Sequence, residues 1–239
     1  MTKEKKSTTA KSTRPPRPRF REHPIEFLLT LFGEVRPGEG ATVLLLTVNV
    51  FLILSAYYLL KVAREPLILL GGGAAVKSYA SVGQSVLLVF VASFYGWLAA
   101  RVGRMMLVTC VSLFFVANLV VFFVLGLMGL PLGVPVFLWA GIFNVVTVAQ
   151  FWSFTADLYT EEQGKRLFPI VGIGSSVGAV AGAWLAAPLV RVGSPFTLML
   201  VAAGLLLAAL ALTAIVHRRE ARTVVSHDQK QQSACPEHP

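Results

Sequence analysis

Two cations and one acid form the group of residues best suited to chemistry in this chain. They are Lys61, Arg64 and Glu65, at the end of a long apolar run. On a helix they share about a third of the circumference with Tyr57 and Tyr58. Arginine binds phosphate through paired hydrogen bonds and lysine acts as a point charge, so the cluster predicts an anion-binding site. The alternative is that these side chains reach from the end of a membrane span into the interface.

A second candidate site is a stripe of polar residues along a later apolar run. Its members are Asn144, Thr147, Gln150 and Asp157. On a helix they cover about 140° of arc, and polar residues inside a membrane usually face protein or water. We therefore expect Asn144, Gln150 and Asp157 to contact a substrate. For Asp157 the alternative is an interfacial ion pair with Lys165 or Arg166, which follow in a charged turn.

Three glycines spaced four residues apart follow that turn, at Gly174, Gly178 and Gly182. Together with Gly172 they resemble a dinucleotide-binding fingerprint superficially. The spacing is GxGxxxG, however, and the surrounding apolar sequence lacks the strand–helix pattern which that fingerprint requires. The spacing is instead typical of a small-residue seam along which two helices pack closely in lipid.

The composition indicates an all-α membrane protein. Hydrophobic residues make up 55% of the chain and charged residues 14%, where a soluble domain carries about a quarter charged residues. Long uncharged runs fit helices that satisfy their own backbone hydrogen bonds in lipid. No nucleophile–base pair, catalytic carboxylate pair or metal-ligand spacing is present, so we expect no enzyme and no cofactor. Cys110 and Cys235 lie in different environments and do not predict a disulfide.

The apolar runs divide the chain into four parts. We predict a basic disordered tail, an interfacial amphipathic helix with a breaker, a six-helix transmembrane domain and a polar disordered tail, at residues 1–23, 24–40, 41–217 and 218–239. The six spans are predicted at about 42–62, 79–99, 105–127, 134–157, 168–190 and 195–216.

The distribution of basic residues predicts the orientation in the membrane. Most Lys and Arg residues fall on the side that holds both termini, which places both termini in the cytoplasm. Much of the net charge of +9 lies in the first 21 residues, and we interpret it as a topogenic tail rather than a nucleic-acid-binding segment. We expect a multi-pass integral protein of the cell inner or plasma membrane.

Three motifs carry a resemblance to known transporters. The turn Gly96–Arg104 resembles the GxLaDrxGr loop of major facilitator transporters, with Ala100 in place of the usual acid. More specifically, the chain resembles the ATP/ADP translocases of plastids and intracellular bacteria. Tyr57–Leu69 is similar to their segment YxILRxLKDTLVV, with Pro66 in place of Thr. Phe151–Val177 is similar to FWGFANEIT…EAKRFYGLFGLGANV, with Asp in place of Glu at position 157.

The resemblance implies one half of a major facilitator fold that exchanges ATP for ADP, or carries a related nucleotide, by alternating access. It implies substrate handling by Lys61, Arg64 and Asp157, and we expect Glu65, Lys165 and Arg166 to form a gating charge network. Since the substrate site of such carriers lies between two halves, the expected partners are a second copy or a second six-helix half, besides the lipid bilayer. The alternatives are a carrier of another organic anion and a non-transporting or truncated membrane subunit.

Overall fold

The computed structural model describes residues 40–234, in which every regular element is an α-helix. The predicted basic tail and almost all of the predicted amphipathic segment lie outside the described residues. The helices are α1 Gly40–Ala99, α2 Arg104–Leu127, α3 Gly133–Leu158, α4 Glu161–Val192 and α5 Pro195–Ala234. All five are long and apolar enough to cross a membrane, which fits a multi-pass integral membrane protein.

Helix α1 consists of two arms joined at Gly73. Its 60 residues would extend over about 90 Å if the helix were straight. At Gly73 the backbone has φ 69° and ψ −171°, a conformation that favours glycine. The second arm folds back on the first, because Lys77 pairs with Glu65 and Ala80 packs in one cluster with Ile68. The predicted spans 42–62 and 79–99 lie on the two arms, and most of the predicted connection between them is helical.

The bundle has two ends that carry different groups of residues. We call the end that holds the α1–α2 and α3–α4 turns the lower end, and the end that holds the Gly73 break the upper end. The first arm of α1 starts at the lower end and packs against α3, α4 and α5, so it is the central helix of the bundle.

The closest approach in the bundle is between α4 and the first arm of α1. A β-carbon at any of the three seam glycines would lie 2.5 Å from a carbonyl oxygen of α1. The three contacts pair Gly174 with Thr47, Gly178 with Phe51 and Gly182 with Ser55. The Ser55 hydroxyl also donates a hydrogen bond to the Gly178 carbonyl at 3.0 Å. The two helices therefore run in the same direction with their backbones in contact.

Helices α4 and α5 extend beyond the predicted spans. The predicted charged turn 158–167 is mostly helix, because Thr160 and Gln163 form a capping box that starts α4 at Glu161. We predicted a disordered tail from residue 218, whereas α5 continues as a helix to Ala234. That segment contains several strong helix formers and no glycine or proline, which explains why the helical backbone continues.

Candidate functional site

The predicted anion-binding residues lie together at the upper end of the bundle. Lys61 is exposed, and its ammonium lies 5.1 Å from the centroid of the Tyr58 ring. Arg64, one turn further along α1, has only 13% of its side chain exposed. Its guanidinium carbon lies 4.8 Å from the centroid of the Phe137 ring on α3. This contact with an aromatic face holds a largely desolvated cation at the junction of α1 and α3.

The charges of this upper cluster are incompletely balanced. Glu65 pairs with Lys77 across the Gly73 break, and its other carboxylate oxygen lies 3.8 Å from Nε of Arg64. The Arg64 Nε is buried and has no hydrogen-bond partner among the described residues. Two cations, Arg64 and Lys77, thus share the carboxylate of Glu65, and a third cation, Lys61, lies one turn before Arg64 on α1. An anionic ligand would supply the missing charge and the missing acceptor.

At the lower end, Asp157 forms an ion pair with Arg104, the first residue of α2. Both side chains are about half exposed, at 48% and 45%, and Arg104 Nη1 also donates to the Ser153 carbonyl at 3.4 Å. The interfacial pairing that we considered for Asp157, with Lys165 or Arg166, is not the observed one. Because α4 begins at Glu161, Lys165 instead pairs at 2.8 Å with Glu161, on the preceding turn of the same helix.

The structure does not bring the predicted substrate residues into one site. Arg64 contacts Phe137 near the upper end of α3, whereas Asp157 lies near its lower end. Twenty residues of helix separate Phe137 from Asp157, which corresponds to about 30 Å. Glu65 likewise belongs to the upper cluster, so it forms no single charge network with Lys165 and Arg166 on α4.

A row of buried polar side chains, which we call the polar seam to distinguish it from the glycine seam, crosses the interior between these two ends. Gln150, 6% exposed, donates to the Val108 carbonyl at 3.3 Å and lies 3.5 Å from the Ser112 hydroxyl. Asn49, fully buried on α1, donates to the Ala209 carbonyl at 2.9 Å and to the Thr213 hydroxyl at 2.7 Å. Asn144, the remaining predicted contact residue, lies half-buried higher on α3.

Two cavities lie along this seam and share Gln150 in their walls. The smaller one measures about 20 Å³, and its polar walls are Ser112, Thr147, Gln150 and Thr213. The larger one measures about 240 Å³ and reaches the lower end, with polar walls at Tyr95, Arg104, Gln150 and Ser153. Buried oxygens of Asn49, Thr147 and Gln150 have no protein partner among the described residues. The smaller cavity is large enough for one water molecule that could bond to such oxygens.

Sequence reasoning missed several members of this seam: Asn49, Ser112 and Thr213. Each is a polar residue within a long uncharged run, and that position is the only signal the sequence offers. Within the described range, no group of three His, Cys, Asp or Glu side chains is placed to hold a metal ion.

No protein family matches the chain, and neither a curated protein nor a solved structure is detectably similar to it. A functional assignment therefore depends on the motifs Tyr57–Leu69 and Phe151–Val177 noted in the sequence. It also depends on the geometry of the upper cluster and of the Arg104–Asp157 ion pair at the lower end.

The lower ion pair leads to a first testable prediction. Asp157→Arg should lower the unfolding temperature in detergent, since it places two like charges together, and the exchanged pair Arg104→Asp/Asp157→Arg should recover most of the loss. Because both side chains are half exposed, we expect an effect of about 1 kcal/mol or less. Thermal unfolding of the two single variants and the double variant measures the coupling.

The matched control is Lys165→Ala, which removes the exposed local pair of Lys165 with Glu161 and should change the unfolding temperature less. If the exchanged Arg104/Asp157 variant is no more stable than Asp157→Arg alone, the two side chains are not coupled in the folded protein.

Proposed function

We propose that this chain is one half of a major-facilitator-like carrier that exchanges ATP for ADP, or carries a related nucleotide, by alternating access. Each arm of α1 forms a separate crossing, which gives six crossings with both termini in the cytoplasm. The protein resides in the cell inner or plasma membrane and acts as a transporter rather than an enzyme. The lower end of the bundle is then the cytoplasmic end.

The observation that carries this proposal is the environment of Arg64. A charged side chain that is largely buried in an apolar bundle is costly, and such residues usually serve a substrate or ion pathway. The Arg64 guanidinium has an aromatic face on one side and an Nε with no hydrogen-bond partner among the described residues, and exposed Lys61 lies one turn away. These groups suit a polyanion, which accepts paired hydrogen bonds from arginine and a point charge from lysine.

The two charged clusters act at different stages of the transport cycle. Lys61 and Arg64 attract the phosphates at the outer end, while the ion pair of Arg104 with Asp157 holds the cytoplasmic end closed. Opening of the cytoplasmic end breaks that pair, and Asp157 then adjusts the charge at the exit. Because about 30 Å separates the two charged clusters, a phosphate group contacts them in succession and not jointly.

A complete substrate pathway requires a second wall, which is supplied by a second copy of the chain or by another six-helix half. We place this partner on α4, which exposes Val177, Val180 and Trp184 within the described residues.

Uptake of labelled ATP into proteoliposomes tests the proposed function. We expect vesicles loaded with ADP to accumulate label at least about tenfold faster than vesicles without internal nucleotide, because exchange needs a counter-substrate. A tenfold ratio corresponds to about 1.4 kcal/mol in the transport barrier. Protein-free vesicles, loaded and unloaded, provide the control for leakage.

A competition panel then separates the nucleotide carrier from a carrier of another organic anion. External ADP should suppress ATP uptake, whereas dicarboxylates and sugar phosphates should not. Uptake that is suppressed equally by all anions contradicts nucleotide selectivity. If neither nucleotides nor other anions are taken up by the reconstituted oligomer, the chain is a non-transporting subunit.

A further inference from the structure

We propose that the bundle carries a specific site for an anionic phospholipid. One acyl chain lies in an apolar groove between the second arm of α1, α2 and α3, and the phosphate of the headgroup binds Arg101. The proposal requires the membrane orientation given above, with the α1–α2 turn at the cytoplasmic face, but it does not require transport activity.

The groove has the size and lining expected for an acyl chain. It measures about 440 Å³, within the range of roughly 300–1,000 Å³ that is common for ligand sites. Its walls are almost entirely apolar and include Phe94, Leu98, Cys110, Phe114 and Trp139. Phe94, Phe114 and the Cys110 side chain are exposed at the bundle surface, so the groove opens toward the bilayer.

A cation lies at the lower mouth of this groove. The guanidinium carbon of Arg101 is 4.4 Å from the centroid of the Trp97 ring. Trp97 in turn stacks on Phe94 with a centroid distance of 5.9 Å, and Phe94 belongs to the groove wall. A continuous surface therefore leads from a charged side chain, across an aromatic pair, into the apolar groove.

The electrostatic state of the α1–α2 turn favours an anionic headgroup. Arg104 is already paired with Asp157, whereas Arg101 is exposed and forms no ion pair within residues 40–234. Anionic lipids are concentrated in the cytoplasmic leaflet, where basic groups beside transmembrane helices attract them. Tryptophan is also favoured at the headgroup level, which is the depth expected for Trp97.

The arrangement of these residues along the helix axes matches the length of a phospholipid. Arg101 and Trp97 lie at the headgroup level, and Cys110 lies six residues above Arg104 on α2, at a rise of about 9 Å. A chain that enters beside Leu98 and passes Cys110 then reaches Phe114, ten residues above Arg104 at a rise of about 15 Å, which is half of the hydrocarbon core. The charged and apolar parts of the site therefore appear in the same order as the headgroup and acyl chain.

Native mass spectrometry of the purified protein provides the main test. With equal amounts of phosphatidylglycerol and phosphatidylcholine of identical chains, we expect at least fivefold more bound phosphatidylglycerol. Arg101→Gln should remove this preference, whereas Arg191→Gln, at an exposed arginine of the upper end, should preserve it. Equal binding of the two lipids by the wild type, or an unchanged preference in Arg101→Gln, would overturn the site.

A second measurement tests the groove separately from the headgroup. Cys110→Trp should fill part of the groove and reduce retention of both lipids at least threefold. If that variant elutes as an aggregate, fluorescence of Trp97 and Trp139 in a Trp152→Phe/Trp184→Phe background replaces it. Chain-brominated phosphatidylglycerol should then quench this tryptophan fluorescence more strongly than brominated phosphatidylcholine does. Equal quenching contradicts the proposal, as does loss of quenching on formation of a dimer, which would show that a second copy covers the groove.

Discussion

Gly178→Leu is expected to abolish the folded bundle, and Gly178→Ala to lower its unfolding temperature by several degrees. A β-carbon at Gly178 would lie 2.5 Å from the carbonyl oxygen of Phe51 and 2.8 Å from its α-carbon. Both are backbone atoms, so no side-chain rotation can relieve the overlap and the helices must separate. Separation also weakens the hydrogen bond from Ser55 to the Gly178 carbonyl.

The size of the effect follows from overpacking, which costs about 1–3 kcal/mol for small additions to a tight core. One kcal/mol corresponds to about 2–4 °C for a protein of this size, so Gly178→Ala should lose several degrees. Leucine adds three more carbons to the same contact, and we expect aggregated protein. Size-exclusion chromatography after heating in detergent measures both outcomes.

Gly172 on the same helix offers a control of opposite sign. A β-carbon there meets nothing within 4 Å, so Gly172→Ala should gain the helix propensity of alanine, up to about 1 kcal/mol. If the alanine variants at positions 172 and 178 shift the unfolding temperature in the same direction, the close packing of α4 on α1 is not what makes Gly178 sensitive.

The glycine seam on α4 could be predicted from the sequence, whereas the surface of α1 that packs against it could not. Gly174, Gly178 and Gly182 repeat at the spacing of one helix face, which is a local property of the chain. The opposing surface of α1 contributes backbone carbonyls at Thr47, Phe51 and Ser55. A carbonyl oxygen is present at every residue, so nothing in the amino-acid types marks these positions.

Lys61, Arg64 and Glu65 of the upper cluster were predictable from the sequence, whereas Lys77 and the pairing of these charges were not. The charges at Lys61, Arg64 and Glu65 are evident, and Pro66 with the following glycines suggests that the first span ends there. The helix instead continues to the single break at Gly73, and Lys77 returns to pair with Glu65. Such a pairing depends on the direction in which the second arm leaves the break, which local propensity does not determine.

The lower end shows how sequence proximity misleads. Lys165 and Arg166 follow Asp157 closely along the chain, yet the observed partner is Arg104, at the start of a different helix. The hydrogen bond of Asn49 with Thr213 similarly joins residues 164 positions apart. Interactions of this kind arise from the packing of whole helices, so they require the fold before they can be identified.

Arg64→Ala is expected to reduce ATP uptake by at least about tenfold, with no comparable loss of folded protein. A hydrogen bond to a charged group contributes about 1.5–3 kcal/mol, and 1.4 kcal/mol is a factor of ten. Lys61→Ala should reduce uptake less, because the exposed ammonium is already solvated and makes a weaker contribution. Initial rates over a range of ATP concentrations measure the effect, and the Michaelis constant should rise.

Two further variants separate the role of Arg64 in substrate binding from a structural role. Arg64→Lys preserves the charge near Phe137 but cannot form paired hydrogen bonds with a phosphate, so it should fold as the wild type does and restore uptake only in part. Lys165→Ala, which removes an exposed cation from the opposite end, should leave uptake unchanged. Wild-type uptake in Arg64→Ala would exclude this residue from the substrate pathway. A loss that Arg64→Lys repairs completely would instead show that the position requires only a positive charge, and the proposed two-point contact with phosphate would be wrong.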